Sequence, residues 1–511
     1  MICPYIRVGA FAALLAASTA TASTGATISY SDSIAMQAYA YSAAIVKRID
    51  VADDRQVWLR KAGVNLKKFE GKPAGKAFMA GVLQKFVRYS ENSGYPFARA
   101  YLGSVRIDSG YFFATLTLRP GNRITIDSLI AKGDGRVRTS FMQNHLGLRK
   151  PRLYSEQYVK DVDRRINELG FVQTAQPSAV EFRQQSSTLY TYLIAGKANR
   201  ANGLLAFGAD ENGKLRMNGE ASLFVANMFR GGEELGLDWS SPEKNTQLLR
   251  ISTGVPYLLP GAIGVSAQLN MERRDTLYMS LNGRLGLSLP MGWYGKSTLF
   301  VELQRHSNSG LQSATVNLTL YGVDFLLRRT DNPLFPRSGY TANLAFAVGR
   351  RRVSGAASTG MEGAVDATRH FLLSGRTSIL ARVQGKMKGA FTEAGSETLL
   401  PSELYGIGGA GSLRGFSERS IFTPCYAIAT LEPQFFYSAQ GYLHAFYDYA
   451  ATGTSAALRS GAVSQLHSFG AGTRFATAAG IFSITYALGG EAGKKPLLKN
   501  AKVHVAYTAV F

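Results

Sequence analysis

From about residue 200 to its end the chain alternates apolar and polar positions with a period of two. In residues 277–289 the odd positions are Leu277, Met279, Leu281, Gly283, Leu285, Leu287 and Leu289, and the even ones are Tyr278, Ser280, Asn282, Arg284, Gly286 and Ser288. Successive side chains of a strand point to opposite faces, so this pattern predicts a strand with one wholly apolar face. Ala314, Val316, Leu318 and Leu320 alternate with Thr315, Asn317, Thr319 and Tyr321 in the same way. In the last segment Ala501, Val503, Val505, Tyr507, Ala509 and Phe511 oppose Lys502, His504, Ala506 and Thr508. A soluble sandwich also alternates, but its strands average about five or six residues. These run to about 9 to 13, enough for the roughly 9 to 11 that a tilted membrane-crossing strand requires. Polar faces rich in Arg, Asn, Thr and Ser suit a wet lumen, and apolar faces ending in Tyr and Phe suit membrane interfaces. Only a closed barrel satisfies every backbone group in lipid. Sixteen strands are expected over residues 200–511, and the longest connection, 390–424, falls between the eleventh and twelfth.

The preceding part has a different rhythm. In residues 155–170 apolar positions fall at Val159, Val162, Ile166 and Leu169, one face of a helix, with Ser155 as N-cap and Gly170 at the left-handed C-terminal position. A strand at 123–130 and a short helix at 138–146 precede it, and strands at 171–182 and 188–195 follow. The order is β-α-α-β-β. A helix at 76–92 followed by strands at 99–107 and 111–118 repeats its ending. Two small α+β domains in tandem are expected, 40–122 and 123–198, the start of the first being undefined.

Residues 1–22 have the layout of a secretory signal peptide: Arg7 is their single charge, an apolar stretch runs from 8 to 17, and Ala20-Thr21-Ala22 offers a cleavage site before Ser23. Cys3 leaves with that segment, so Cys425 is the one cysteine of the exported chain and an intrachain disulfide is excluded. Only 18% of residues are charged, too few for a disordered chain with so many aromatics. The balance is nevertheless strongly basic, +22. Export and a barrel make nucleic acid an unsuitable partner, and leave acidic clients or lipid headgroups. His145, His306, His370, His444, His467 and His504 lack metal-ligand spacing, and neither a G-x-S-x-G elbow nor an H-E-x-x-H pair is present. No enzyme, metal or cofactor is expected.

The long connection holds a formal G-x-G-x-x-G match at residues 406–411. It lacks the βαβ surroundings that a dinucleotide site needs and is set aside. Just beyond it stands Leu413-Arg414-Gly415-Phe416. Downstream, Glu432 shares a strand face with Ile428, Thr430 and Gln434, and Asp448 shares one with His444 and Phe446. Both carboxylates therefore point into the lumen from neighbouring strands, where an arginine folded inside would meet them.

This arrangement resembles the outer-membrane superfamily of barrel-assembly insertases and two-partner secretion transporters, also called the bacterial surface antigen family. Its members look like periplasmic β-α-α-β-β (POTRA) domains followed by a 16-stranded barrel, with a long loop tucked inside that bears a [VL]-R-G-[FY] tip. Leu413-Arg414-Gly415-Phe416 matches that tip, and Glu432 and Asp448 match the acidic partners of its arginine. Residues 331–339 look like the family's periplasmic turn before strand nine, and Tyr507 and Phe511 like its aromatic C-terminal barrel signal. The chain departs from the general insertase in having about two POTRA domains where that protein has more. The resemblance implies a non-enzymatic protein of the bacterial outer membrane, its soluble domains in the periplasm. Its implied partners are unfolded or β-rich client polypeptides, outer-membrane lipids and accessory periplasmic proteins. Clients would pair with a POTRA edge such as the strand at 188–195. Insertion and secretion both remain open, as do a passive porin-like channel and a surface adhesin.

Overall fold

A computed structural model describes residues 44–510, apart from 53–55, 75, 149–150, 184–185, 210–214, 242–245, 260–262, 292–294, 310–312, 454–462, 478–479, 492 and 494–499. The signal-peptide expectation at 1–22 and Phe511 lie outside the described residues.

The N-terminal unit contains two α/β modules. The first comprises β1 (Ile45–Val51), α1 (Gln56–Lys61), α2 (Lys76–Glu91), β2 (Arg99–Asp108) and β3 (Tyr111–Arg119), with sheet order β1-β3-β2. Its core is built from Val46, Phe86, Leu116 and Leu118, all nearly fully buried. The Trp58 ring packs edge-on against Phe86, Tyr89 and Tyr95. The strand and helix before Lys76, which no clear sequence pattern announces, complete the β-α-α-β-β order.

The second module comprises β4 (Thr125–Gly133), α3 (Thr139–Leu146), β5 (Arg152–Leu153), α4 (Glu156–Glu168), β6 (Val172–Phe182) and β7 (Ser186–Ala195). Its order is β5-β4-β7-β6. This corrects one expectation: the strand at 188–195 lies inside the sheet, between β4 and β6, and cannot accept a client. The open edges are β6 and the two-residue β5, because β7 returns parallel to β4 and fills the centre. Helix α4 buries Tyr158, Val162, Arg165 and Ile166. Tyr158, absent from the expected stripe, donates its hydroxyl to the Leu146 carbonyl at 2.9 Å. Ser155 caps the helix through the Tyr158 amide, and Asn92 of the first module accepts the Gln157 amide.

The remaining unit is a closed antiparallel barrel. Its strands are β8 (Arg200–Ala209), β9 (Leu215–Ala226), β10 (Glu234–Ser241), β11 (Thr246–Leu259), β12 (Ile263–Arg274), β13 (Tyr278–Met291), β14 (Gly295–Asn308), β15 (Ala314–Thr330), β16 (Gly339–Val353), β17 (Ala356–Ser374) and β18 (Thr377–Thr392). After the long connection come β22 (Cys425–Ser438), β23 (Gly441–Gly453), β24 (Ser464–Ala476), β25 (Ile481–Glu491) and β26 (Lys502–Val510). These are the sixteen strands expected. The connection carries β19 (Gly395–Glu397), which prolongs the barrel beside β18, and a small hairpin of β20 (Tyr405–Ile407) with β21 (Ile421–Thr423). No described helix is long and apolar enough to cross a membrane; the crossing is made by strands.

Leu281, Leu285 and Leu287 are 40%, 66% and 47% exposed, while Ser280 and His306 are almost fully buried. The polarity is inside out, as lipid outside and water inside demand. On β15 the expected orientation fails. Val316, Leu318 and Leu320 point into the lumen, level with His306, Gln304 and Glu302 of β14. They pack with Phe300, Ala347 and Leu400. Alternation fixes which residues share a face but not which face is inner, and here the long connection supplies Leu400 as an apolar filling.

Candidate functional site: an arginine-anchored loop inside the barrel

The register of β22 and β23 sets Thr430 opposite Asp448, and the strand period turns Glu432 and Asp448 to the lumen. Asp448 is fully buried and Glu432 nearly so. Above them the hairpin of β20 and β21 presents residues 408–420. Gly408 and Gly409 take positive φ angles of 119° and 89°. The Ser412 hydroxyl bonds the Gly408 carbonyl and accepts from its amide, each at 2.9 Å. This closes a tight turn, with none of the helix a dinucleotide fingerprint would need. Leu413 is wholly buried among Ile407, Tyr426, Ile428, Ala450 and Leu466.

Arg414 follows, and its guanidinium engages both acids. Nε and Nη2 donate to the two oxygens of Asp448 at 2.9 and 2.8 Å, and Nη1 donates to Glu432 at 2.7 Å. The guanidinium also lies 3.5 Å from the centre of the Phe446 ring. The carboxylates are themselves held: Thr430 donates to Asp448 at 2.8 Å and Gln434 to Glu432 at 2.9 Å. A buried ion costs several kcal/mol unless it is paired and its hydrogen bonds are filled, and a bidentate fork fills two at once. Gly415 has φ 83°, and a Cβ there would lie 2.6 Å from the backbone nitrogen of Gly489 on β25. A Cβ added at Gly489 would meet the Phe416 ring at 2.7 Å and the Gly415 carbonyl oxygen at 2.8 Å. The tip touches wall backbone directly, which only glycines on both sides permit.

Three further ion pairs, made by two arginines, hold the same connection, and none is expected from the sequence. Arg351 of β16 grips Glu403 by a fork, Nε to Oε1 at 2.8 Å and Nη2 to Oε2 at 2.9 Å, and reaches Glu397 at 2.6 Å. Arg419 donates to Glu272 of β12 at 2.6 Å, and Tyr278 bonds the same oxygen at 2.6 Å. The one available signal was the run Arg350-Arg351-Arg352, whose middle member alternation turns inward.

At the opposite end of the strands, Asp331 and Asn332 accept backbone amides within their turn, from Arg337 and Ser338 and from Leu334 and Phe335 respectively. Arg337 donates to the carbonyls of Gly375 and Ser438, joining three turns. Tyr507, on β26, is 37% exposed and packs its ring 4.7 Å from that of Phe482.

A family model, the Omp85 superfamily domain, matches residues 261–496. The matched residues hold strands β12 to β25 of the barrel. Among solved structures, CdiB from Acinetobacter baumannii shares 13% identity and a TM-score of 0.55, covering 92% of this chain and 90% of that one. CdiB from Escherichia coli gives 14% and 0.55 over the same shares. BamA from Haemophilus ducreyi lacking POTRA domains 1–3 gives 14% and 0.48, over 92% of this chain and all of that one. The two CdiB structures share the fold of this chain. No curated protein matches.

Proposed function

We propose that this Omp85 barrel inserts or translocates β-rich polypeptides at the bacterial outer membrane, and that its two POTRA-like modules receive the clients in the periplasm. The observation that carries this reading is the barrel seam. Strand β8 pairs with β9 along its whole length, but among the described residues it meets β26 only at Ala201–Ala509 and Arg200–Val510. Among the described residues, every other pair of neighbours among the sixteen strands is joined by a longer ladder. A seam that opens exposes unpaired N–H and C=O groups, which a client strand satisfies by backbone pairing. A passive channel has no use for a weak seam or for tandem soluble modules. In this reading the loop anchored by Arg414 fills the lumen while the wall parts, and the first 22 residues direct export.

The test is a disulfide across the seam, Ala201→Cys with Ala509→Cys, in the otherwise unchanged chain. Oxidised protein is expected to lose client handling and to regain it on reduction. Full activity in the locked form contradicts the opening.

A further inference from the structure

The turn between β9 and β10, residues 227–233, leaves Met228 55% and Phe229 64% exposed. The turn is tightly built. The Glu233 carboxylate accepts the amides of Phe229 and Gly231 at 3.3 and 3.1 Å, and the Asn227 side-chain oxygen accepts that of Gly232 at 3.1 Å. The Arg230 carbonyl accepts the Arg138 amide at 2.8 Å, and the Asn227 side chain donates to the Arg136 carbonyl at 3.0 Å. Gly232, at φ 74°, lies against the Phe141 ring with no room for a Cβ. Residues 135–141 thereby pack as part of the barrel unit. A turn fixed at so many points holds two large apolar side chains outward, and leaving such surface in water is unfavourable.

Three arginines border the apolar pair through the backbone bonds just described. Arg136, Arg138 and Arg230 are exposed, and among the described residues none of them makes an ion pair. The acids beside them are engaged elsewhere: Glu233 holds the two amides, and Glu234 shares the inward face of β10 with Asp238, which lines the lumen. Arg230 takes φ 64°, a region where glycine carries no strain, so the turn itself gains nothing from an arginine there.

Position in the wall says what the partner is. The turn follows directly on Val225 and Leu235, the last outward-facing pair of β9 and β10. Leu223, Leu235 and Leu237 on that face are exposed, as are Leu258 and Leu259 where β11 returns to the same end of the barrel. Met228 and Phe229 therefore stand where hydrocarbon gives way to headgroups, apolar and basic residues side by side. A soluble anion would engage the arginines and leave the apolar pair bare; a lipid engages both. We infer that this turn, with Arg136, Arg138 and Arg230, is a binding site for anionic phospholipid of the adjoining leaflet. The acyl and glycerol portion covers Met228 and Phe229, and the phosphate meets the guanidiniums. The inference rests on the membrane barrel and is independent of client handling.

The experiment titrates the full-length protein in detergent with phosphatidylglycerol or phosphatidylcholine and resolves the first bound lipid by native mass spectrometry. Phosphatidylglycerol is expected to bind more tightly, with a preference that shrinks as salt rises. In Arg138→Gln with Arg230→Gln its affinity is expected to fall by about tenfold or more, the scale of removing two basic residues from a lipid surface, while phosphatidylcholine binding stays. In Met228→Ser with Phe229→Ser both lipids are expected to weaken alike. Arg350→Gln with Arg352→Gln removes the same charge at the opposite end of the wall and is expected to change neither. The four side chains changed at the turn are exposed, so both turn variants are expected to fold, which the heat-dependent gel shift of the barrel checks. An unchanged phosphatidylglycerol preference in the arginine variant overturns the inference. So does an equal loss in the distant control, which would reduce the effect to net charge. Glycerol phosphate without acyl chains is expected not to compete; competition at the concentration of the lipid would assign the arginines to a soluble anion and overturn the leaflet site.

Discussion

Arg351 on the barrel wall and Glu403 in the long connection meet fork to fork, at 2.8 and 2.9 Å, with side chains 3% and 2% exposed. They form a second anchor for the loop whose tip Arg414 holds. Removing one partner of a buried pair strands the other, at about 3 kcal/mol or more. In Arg351→Ala the penalty falls on the stem of the loop while the tip remains paired. In Arg414→Ala it falls on the tip while the stem remains. Each single variant is expected to keep its loop inside and the double variant to release it. Trypsin cleavage after Arg419 reports this, rising sharply in the double variant alone. Equal cleavage in the double variant and the parent would show that neither pair holds the loop.

Gly415→Ala perturbs the tip without touching a charge. Its φ of 83° is strained for any residue with a Cβ, at about 1–2 kcal/mol, and the added carbon would press on Gly489 backbone. The variant is expected to expose Arg414 to trypsin, whereas Gly411→Ala, which has open space around its Cβ, should not. Identical digestion patterns for the two variants would show that the close approach at Gly489 is not what positions Arg414.

The second module should be acid-sensitive through His145. Burial, the largest cause, lowers its pKa from 6.5 to about 4, outweighing the bond its ring makes with the Arg165 carbonyl at 3.2 Å. The unfolded chain therefore takes up a proton below about pH 6.5 that the folded module refuses until about pH 4. Stability is full above pH 6.5 and is lost as pH falls through that window, on the order of 2 kcal/mol by pH 5. Hydrogen exchange of α4 in the full-length protein is expected to quicken from pH 7 to 5, after correction for intrinsic rates. His145→Gln should flatten that dependence. A flat profile in the parent would show that His145 is not protonated on unfolding.

The strand pattern was legible because lipid and water on opposite faces force strict alternation, and all sixteen strand positions follow from it. The meeting of Arg414 with Glu432 and Asp448 was legible for the same reason: period two places both acids inward on adjacent strands. Arg351 and Glu403 were not legible, because 52 residues separate them and only the path of the loop brings them together. Nor was the inward face of Val316, Leu318 and Leu320, whose lumenal neighbour Leu400 comes from that loop. Sheet order in the second module escaped the sequence as well, since a parallel return of β7 to β4 leaves no local mark.

Client handling itself is tested most directly by depleting the protein and quantifying every outer-membrane and secreted polypeptide. One or several strand-rich proteins are expected to disappear from the outer membrane or the medium, a single one for a dedicated transporter and many barrels for an insertase. An unchanged proteome in both fractions would contradict the proposed function.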